Sequence, residues 1–364
     1  MNTKIRVLET ETGVRETLGK FLVRLLESGE VHSVFALRKT PQVGRFCRSL
    51  VSDPDLVDEL VPFLPVMPVQ GAAALTALTG TEPPDAPVAV LLRPCELRAF
   101  VENVKQAQGS LENLFIISCT CPGVIPASVQ AGKDPGEISM TGPDNVRSTC
   151  ETCTQLVPGP QADMTVILAA DRETPGTVIL LNSDRAVTLA ENFGEGSIGT
   201  GEDGHARTAE TLRLRKEARE AFLAGGPVAG KGMDSLVSLF ASCIGCRGCR
   251  EACPLCTCIL CDYETSRTLP SPELVRLETD LRGALRVPAG TLQFHLGRLT
   301  HISPICVNCG QCSDACPVGI PVAEIFLAAS VSVQEALGYE PGMNPEEPTP
   351  MSTFRPDELG DITD

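Results

Sequence analysis

The chain has 364 residues, a formal charge of −16 and a hydrophobic fraction of 43%, enough for two or three domains with a real core. Its 46 acidic residues against 30 basic ones argue against nucleic acid, whose phosphates select clustered Lys and Arg. An acidic surface suits a basic partner protein, or simply solubility. The opening segment MNTKIRVLETETGVRETLGK is charged throughout and lacks the apolar core of a secretory signal. No run approaches the roughly 18 apolar residues of a membrane span, so a soluble, cytoplasmic protein is expected. Cysteine is the outlier: seventeen in a reducing compartment point to metal rather than to disulfides.

Residues 1 to about 110 alternate short apolar runs with amphipathic ones. IRVLE reads as a strand, VRETLGKFLVRLLESG as a helix closed by Gly29, and VHSVFALRK as a second strand. PDLVDELVPFLPV reads as helical until Pro65. In PVAVLLRPCELRAFVENVKQAQG a strand ends at Arg93 and Pro94 opens a helix, since proline lacks only an N–H that a first turn does not use. NLFIIS is the next strand, so strand, helix and strand form an α/β layer. Two further strands, TVILAA and TVILLN, are separated by the turn-rich DRETPG. FGEGSIGTGEDG reads as a Gly-rich connector. Its GEGSIG has the form of a dinucleotide fingerprint but lacks a strand before it and a helix directly after it, which favours a flexible linker. TAETLRLRKEAREAFLAG reads as a charged helix closed by Gly225.

The expected architecture is an α/β (α+β) N-terminal domain over residues 1–234, followed by a partly helical dicluster ferredoxin-like domain over 235–338. An acidic, Pro-rich tail over 339–364, extended against a partner or disordered, completes it.

The second domain carries an internal repeat. CIGCRGCREACP at 243–254 recurs as CVNCGQCSDACP at 306–317, each of the form C-x2-C-x2-C-x3-C-P. Two-residue gaps let three thiolates wrap one 4Fe–4S cube. The fourth cysteine lies a helical turn farther on and points to the other cube. Cys243, Cys246, Cys249 and Cys316 are therefore assigned to one cluster, and Cys306, Cys309, Cys312 and Cys253 to the second. Structural zinc, which favours separated C-x2-C pairs or Cys mixed with His, does not fit this spacing. The spacer contains two helical stretches, PSPELVRLETDLRGAL and AGTLQFHLGRLTHI. His295 and His301 fall in the second, six residues apart on different faces. They read as ordinary helix residues, with His301 the one placed to tune a cluster.

Nine cysteines remain. Cys47 reads as a buried small hydrophobe. Cys119 and Cys121 form C-x-C, Cys150 and Cys153 form C-x2-C, and Cys256, Cys258 and Cys261 follow the first motif. These seven are candidates for a further metal site, either a third 4Fe–4S cluster bridging the two domains or zinc. Cys95 stands alone, in the turn after a strand.

The stretch VLLRPCELRAFVENVKQAQGSLENLFIISCTCPG, followed by CIGCRGCREACPLCTCILC, resembles the beta-subunit family of coenzyme F(420)-linked hydrogenases and formate dehydrogenases, which are iron–sulfur flavoproteins. The resemblance covers roughly residues 85–125 and 243–261, and RPCELRA is its more specific part. The clusters of this chain lie C-terminal to the α/β region, whereas some relatives carry them at the N-terminus. The resemblance implies FAD in the α/β domain, with Arg93, Pro94, Cys95 and Glu96 as its contact. Physically, a helix N-terminus after a strand favours an anionic group such as pyrophosphate, and the bland reading of the same turn is a well-capped helix start. The implied role is an electron-transfer subunit between a two-electron carrier and 4Fe–4S clusters. Its partners would be subunits of a formate dehydrogenase, hydrogenase or heterodisulfide-reductase-like complex. The alternative is a flavin-free wire or docking adaptor.

Overall fold

The computed structural model describes residues 5–130, 132–169, 176–194, 196–225, 232–259, 261, 263, 271–283 and 290–353. Its frame is one eight-stranded mixed sheet in the order β3-β2-β4-β5-β6-β7-β1-β8. The strands are β1 (Ile5–Thr10), β2 (Ser33–Lys39), β3 (Phe46–Val51), β4 (Val88–Leu91), β5 (Leu114–Cys119), β6 (Met164–Val166), β7 (Thr177–Leu181) and β8 (Ser197–Gly201). β2, β4, β5 and β6 run parallel, while β3, β7, β1 and β8 add antiparallel edges. The central strands read as unbroken apolar runs because both of their faces are covered; every residue of β4 and β5 is buried.

One face packs on α1 (Val14–Glu27), whose buried stripe is Leu18, Phe21, Leu22 and Leu25. Full burial of each such side chain contributes about 1.5–3 kcal/mol. The other face meets α2 (Gly71–Thr79) and α3 (Pro94–Lys105), and the same core continues into the cysteine-rich part through Phe240, Leu255, Phe294 and Phe326. Short helices α4 (Ala127–Gln130) and α5 (Ser148–Glu151) follow β5. α6 (Asp184–Phe193), capped by Ser183, follows β7, and α7 (Gly204–Arg207) and α8 (Ala209–Gly225) follow β8. The remaining helices are α9 (Gly232–Leu239), α10 (Gly248–Glu251), α11 (Pro272–Arg282), α12 (Thr291–Ile302), α13 (Gln311–Asp314) and α14 (Val322–Leu337). Among the described residues no helix is long and apolar enough to cross a membrane.

Four expectations are corrected. PDLVDELVPFLPV makes only a 3-10 segment, Pro54–Glu59. Val61 N–H instead donates to Leu37 O of β2 at 2.8 Å, and Pro62 and Pro65 remove donors that a helix would need. The supposed linker supplies β8, paired with β1 from Ile5↔Gly201 to Glu9↔Ser197. Its glycines permit that close approach: a Cβ on Gly201 would sit 2.6 Å from Val7 Cγ2, and one on Gly196 (φ +76°) would meet Glu9 O. Cys47 is exposed on edge strand β3, where it contacts Ser49 Oγ at 3.3 Å. The start of the tail docks on its own chain. Glu102 of α3, fully buried, accepts from Tyr339 OH and Gly342 N–H, each at 2.6 Å, and Arg98 Nε donates to Pro341 O at 2.7 Å. Residues 171–175 of the DRETPG turn, and 354–364 of the tail, lie outside the described residues.

Candidate metal centre and adjoining cleft

Both motif loops follow one trace, because the same positions turn the chain the same way. In the first, Gly245 (φ +71°) and Arg247 (φ +59°) precede α10. In the second, Asn308 (φ +55°) and Gly310 (φ +82°) precede α13. These are the second and fourth residues after the leading cysteine in each copy. The turns aim backbone N–H groups at sulfur: Gly245 N–H at Cys243 Sγ (3.5 Å) and Asn308 N–H at Cys306 Sγ (3.4 Å). Such donors stabilise thiolates and the clusters they hold.

Cys243, Cys246, Cys249 and Cys316 come together, with Cys249 in the electrostatic field of the other three. Cys253, Cys306, Cys309 and Cys312 line one small cavity, with Phe326 at its wall. The fourth cysteine of each motif thus stands with the first three of the other. Arg298, 4% exposed, donates to Cys249 Sγ at 3.2 Å and Cys249 O at 3.1 Å and lies beside Cys253 and Cys256. Its buried guanidinium offsets thiolate charge, and the motif spacing gave no sign of it. His295, not His301, reaches a motif cysteine: its Nε2 lies 3.4 Å from Cys243 Sγ, and its ring stacks on Phe240 at 3.9 Å. Burial, aided by Arg298, lowers the His295 pKa to about 4, so the imidazole is neutral.

The seven leftover candidates divide. Cys256, Cys258 and Cys261 line a separate cavity with Arg250, His301 and Tyr263. Cys119 and Cys121 lie at the carboxyl end of β5, and Cys150 and Cys153 lie on and just after α5. Cys95 joins this second group, within electrostatic reach of Cys121, Cys150 and Cys309. Burial pushes the Cys150 thiol up to about 11. A hydrogen bond with Cys119, outweighing burial, holds the Cys121 thiol below its ordinary range, with the Arg93 guanidinium assisting. Among the described residues, no three Cys, His, Asp or Glu side chains converge tightly enough to hold a single metal ion. Tetrahedral zinc needs sulfurs about 4 Å apart, from bonds of about 2.3 Å, whereas the thiolates around a cube stand wider.

The Arg93–Glu96 turn is closed on itself. Arg93 is 2% exposed and donates to Phe63 O and Leu64 O, both at 2.6 Å, and to Cys121 Sγ at 3.4 Å. Glu96, fully buried, accepts from Gly71 N–H (2.8 Å) and Arg93 N–H (2.9 Å) and pairs with Arg48. Glu96 thus caps the helix start through Arg93 N–H, and neither side chain is left for a pyrophosphate. A cleft of about 520 Å³ opens elsewhere, between α5, α8 and α14, and carries Arg98, Lys216, Arg219, Cys153 and Asn308 on its walls. Two of its polar atoms, Arg219 Nε and Thr149 Oγ1, are buried without a partner. That volume and pair of unsatisfied groups fit a polar cofactor, and the lining is mixed in charge, with Glu220, Glu335 and Glu340 on the same walls as the three cations.

No protein-family model matches the chain. It is 24% identical over 308 residues to the F(420)-dependent formate dehydrogenase subunit beta of Methanocaldococcus jannaschii, covering 71% of this chain and 75% of that protein. It is also 24% identical over 369 residues to the F(420)-dependent formate dehydrogenase 1 subunit beta of Methanococcus maripaludis, covering 89% of each. Among solved structures, a chain of the F(420)-reducing NiFe hydrogenase complex from Methanosarcina barkeri aligns at a TM-score of 0.40 and 12% identity, over 60% of this chain and 88% of that one. The resemblance first carried by RPCELRA and the cluster motif thus extends over most of the length, and the chain is similar to F(420)-dependent formate dehydrogenase beta subunits.

Proposed function

We propose that this chain is an electron-transfer subunit of an oxidoreductase complex, holding two 4Fe–4S clusters in a ferredoxin-like dicluster region packed against the α/β sheet. Cys243, Cys246, Cys249 and Cys316 would ligate one cluster, and Cys306, Cys309, Cys312 and Cys253 the other. The observation that carries this reading is the cavity lined by Cys253 together with Cys306, Cys309 and Cys312, the set expected when paired motifs exchange their fourth ligand. FAD would lie in the cleft that Arg98, Lys216 and Arg219 line together with Glu220, Glu335 and Glu340, rather than at the Arg93–Glu96 turn. There it would convert between a two-electron carrier and one-electron clusters. The relatives' names support a formate dehydrogenase or hydrogenase type of partner.

Anaerobic isolation followed by iron and released-flavin analysis tests the reading. About eight or more irons and one flavin per chain are expected. A flavin-free wire is the second reading, favoured by the closure of the Arg93–Glu96 turn on the protein's own groups. Intact clusters with no flavin bound, even after FAD is added, would select it.

A further inference from the structure

We infer that helix α12 polarises the relay: Arg298, with His295 one turn before it, makes the cluster of Cys243, Cys246, Cys249 and Cys316 the higher-potential one of the pair. This deepens the two-cluster reading and rests on it. The two motif loops repeat each other's trace, so their own backbone leaves the pair nearly matched. Gly245 N–H faces Cys243 Sγ at 3.5 Å, and Asn308 N–H faces Cys306 Sγ at 3.4 Å. The difference comes from what packs on each set of thiolates.

α12 belongs to the chain between the motifs, and residues three apart on a helix share a face. Arg298 Nη1 donates to Cys249 Sγ at 3.2 Å, while the guanidinium lies over the Phe294 and Phe326 rings at 5.7 and 4.9 Å. Among the described residues no carboxylate pairs with it, although it is 4% exposed. A buried cation without a carboxylate is costly unless another anion compensates it. Thiolates bound to a cluster are the counter-charge on hand. His295, 1% exposed, brings Nε2 to 3.4 Å from Cys243 Sγ, and its Nδ1 is buried without a partner. A neutral imidazole carries one N–H. Placed on Nδ1 it would be a stranded donor, whereas on Nε2 it meets sulfur, so the Nε2 tautomer is selected.

The second set meets neutral groups at its sulfurs. These are Asn308 N–H and the Ser330 hydroxyl at Cys306, Gln311 N–H at Cys309 and the Cys256 thiol at Cys253. Arg147 is paired with Asp314 and bonds to the Cys309 carbonyl, and Arg98 and Arg298 act on Cys306 only across space. Neutral donors therefore serve both sets, and the cation bonds to sulfur in one. Solvent adds to the difference: Cys246 is exposed, whereas none of Cys253, Cys306, Cys309 and Cys312 is. Taking up one electron adds one negative charge, which a bonded cation and nearby water stabilise. The electron comes to rest on the first set.

The test is an EPR-monitored redox titration of the anaerobically purified full chain. Cys246→Ser and Cys312→Ser mark which reduction step belongs to which set. The step altered by Cys246→Ser is expected at the higher potential. In Arg298→Met its reduced-to-oxidised ratio at fixed potential should fall about tenfold, about 59 mV for one electron, with a smaller fall in the other step. Arg298→Lys, which keeps the charge, should recover part of that shift. His295→Phe keeps a ring against Phe240 and removes the donor. It should lower the first step about threefold and leave the second in place, and it decides the matter if Arg298→Met loses its iron. A Cys246 step at the lower potential overturns the inference, as do steps that the α12 variants leave unmoved or displace equally. Those results leave the two-cluster reading standing. That reading fails instead where iron is insensitive to both Cys246→Ser and Cys312→Ser.

Discussion

Arg147 joins the α/β part to the second motif loop, and replacing it by Met tests how strongly. Its Nη2 pairs with Asp314 Oδ2 at 2.5 Å, with side chains 4% and 9% exposed. It also donates to Cys309 O at 2.8 Å and Gln311 Oε1 at 3.2 Å. Removing one partner of a buried pair leaves the other charge uncompensated and costs about 3–5 kcal/mol. Met fills the space but restores no donor, so the loss should stay in that range. With a urea slope of about 2–3 kcal/mol/M, the midpoint should fall by about 1–2.5 M. Chelator-driven iron release, followed at visible absorbance, should accelerate in parallel. Asp314→Asn in the same background removes the stranded charge and should recover at least about 1 kcal/mol as coupling between the two positions. A midpoint within about 0.3 M of wild type, or strict additivity in the double variant, would refute the argument that this pair holds the loop.

Cys246→Ser should remove or convert one cluster, lowering iron by about one to four atoms per chain and altering the reduced EPR spectrum. Glu102→Ala strands the Lys105 ammonium, whose side chain is 1% exposed, and removes the acceptor for Tyr339 and Gly342. It should cost about 3–5 kcal/mol and open the segment after α14 to limited proteolysis. Gly196→Val forces a β-branched residue to φ +76° against Glu9 O and should cost at least about 2 kcal/mol in a melt of the sheet, whereas a freely hanging linker would lose nothing. Arg219→Glu reverses a charge on the cleft wall. It should weaken FAD retention at least tenfold in a fluorescence titration while leaving iron content unchanged; equal retention would move the flavin elsewhere.

How much could be read in advance depended on the range of the interactions involved. The motif cysteines were legible because their geometry is set within a dozen residues, and the positive-φ positions at 245, 247, 308 and 310 fall inside those same loops. The parallel strands were legible as short apolar runs. β8 was not, because its two β-branched residues, Ile198 and Thr200, are set among glycines in a run whose composition reads as a connector. The 54–66 segment carries helical spacing but is held by the β2 ladder and two prolines, so tertiary pairing overrides its pattern. Cys95 looked solitary because its neighbours are brought in by the strand order of the sheet. The one local hint was that both it and the C-x-C pair follow apolar strands. His295 and Arg298 approach cysteines about fifty positions away, which no spacing rule reaches.

The central claim is that the two repeated motifs hold a pair of adjacent clusters that relay electrons. Quantitative EPR of the dithionite-reduced, anaerobically purified chain, alongside its iron and acid-labile sulfide content, tests it most directly. The account predicts about eight or more irons with matching sulfide, and a reduced signal of at least two spins broadened by mutual coupling. Iron below about four per chain, or zinc in place of iron with no reducible signal, would contradict it.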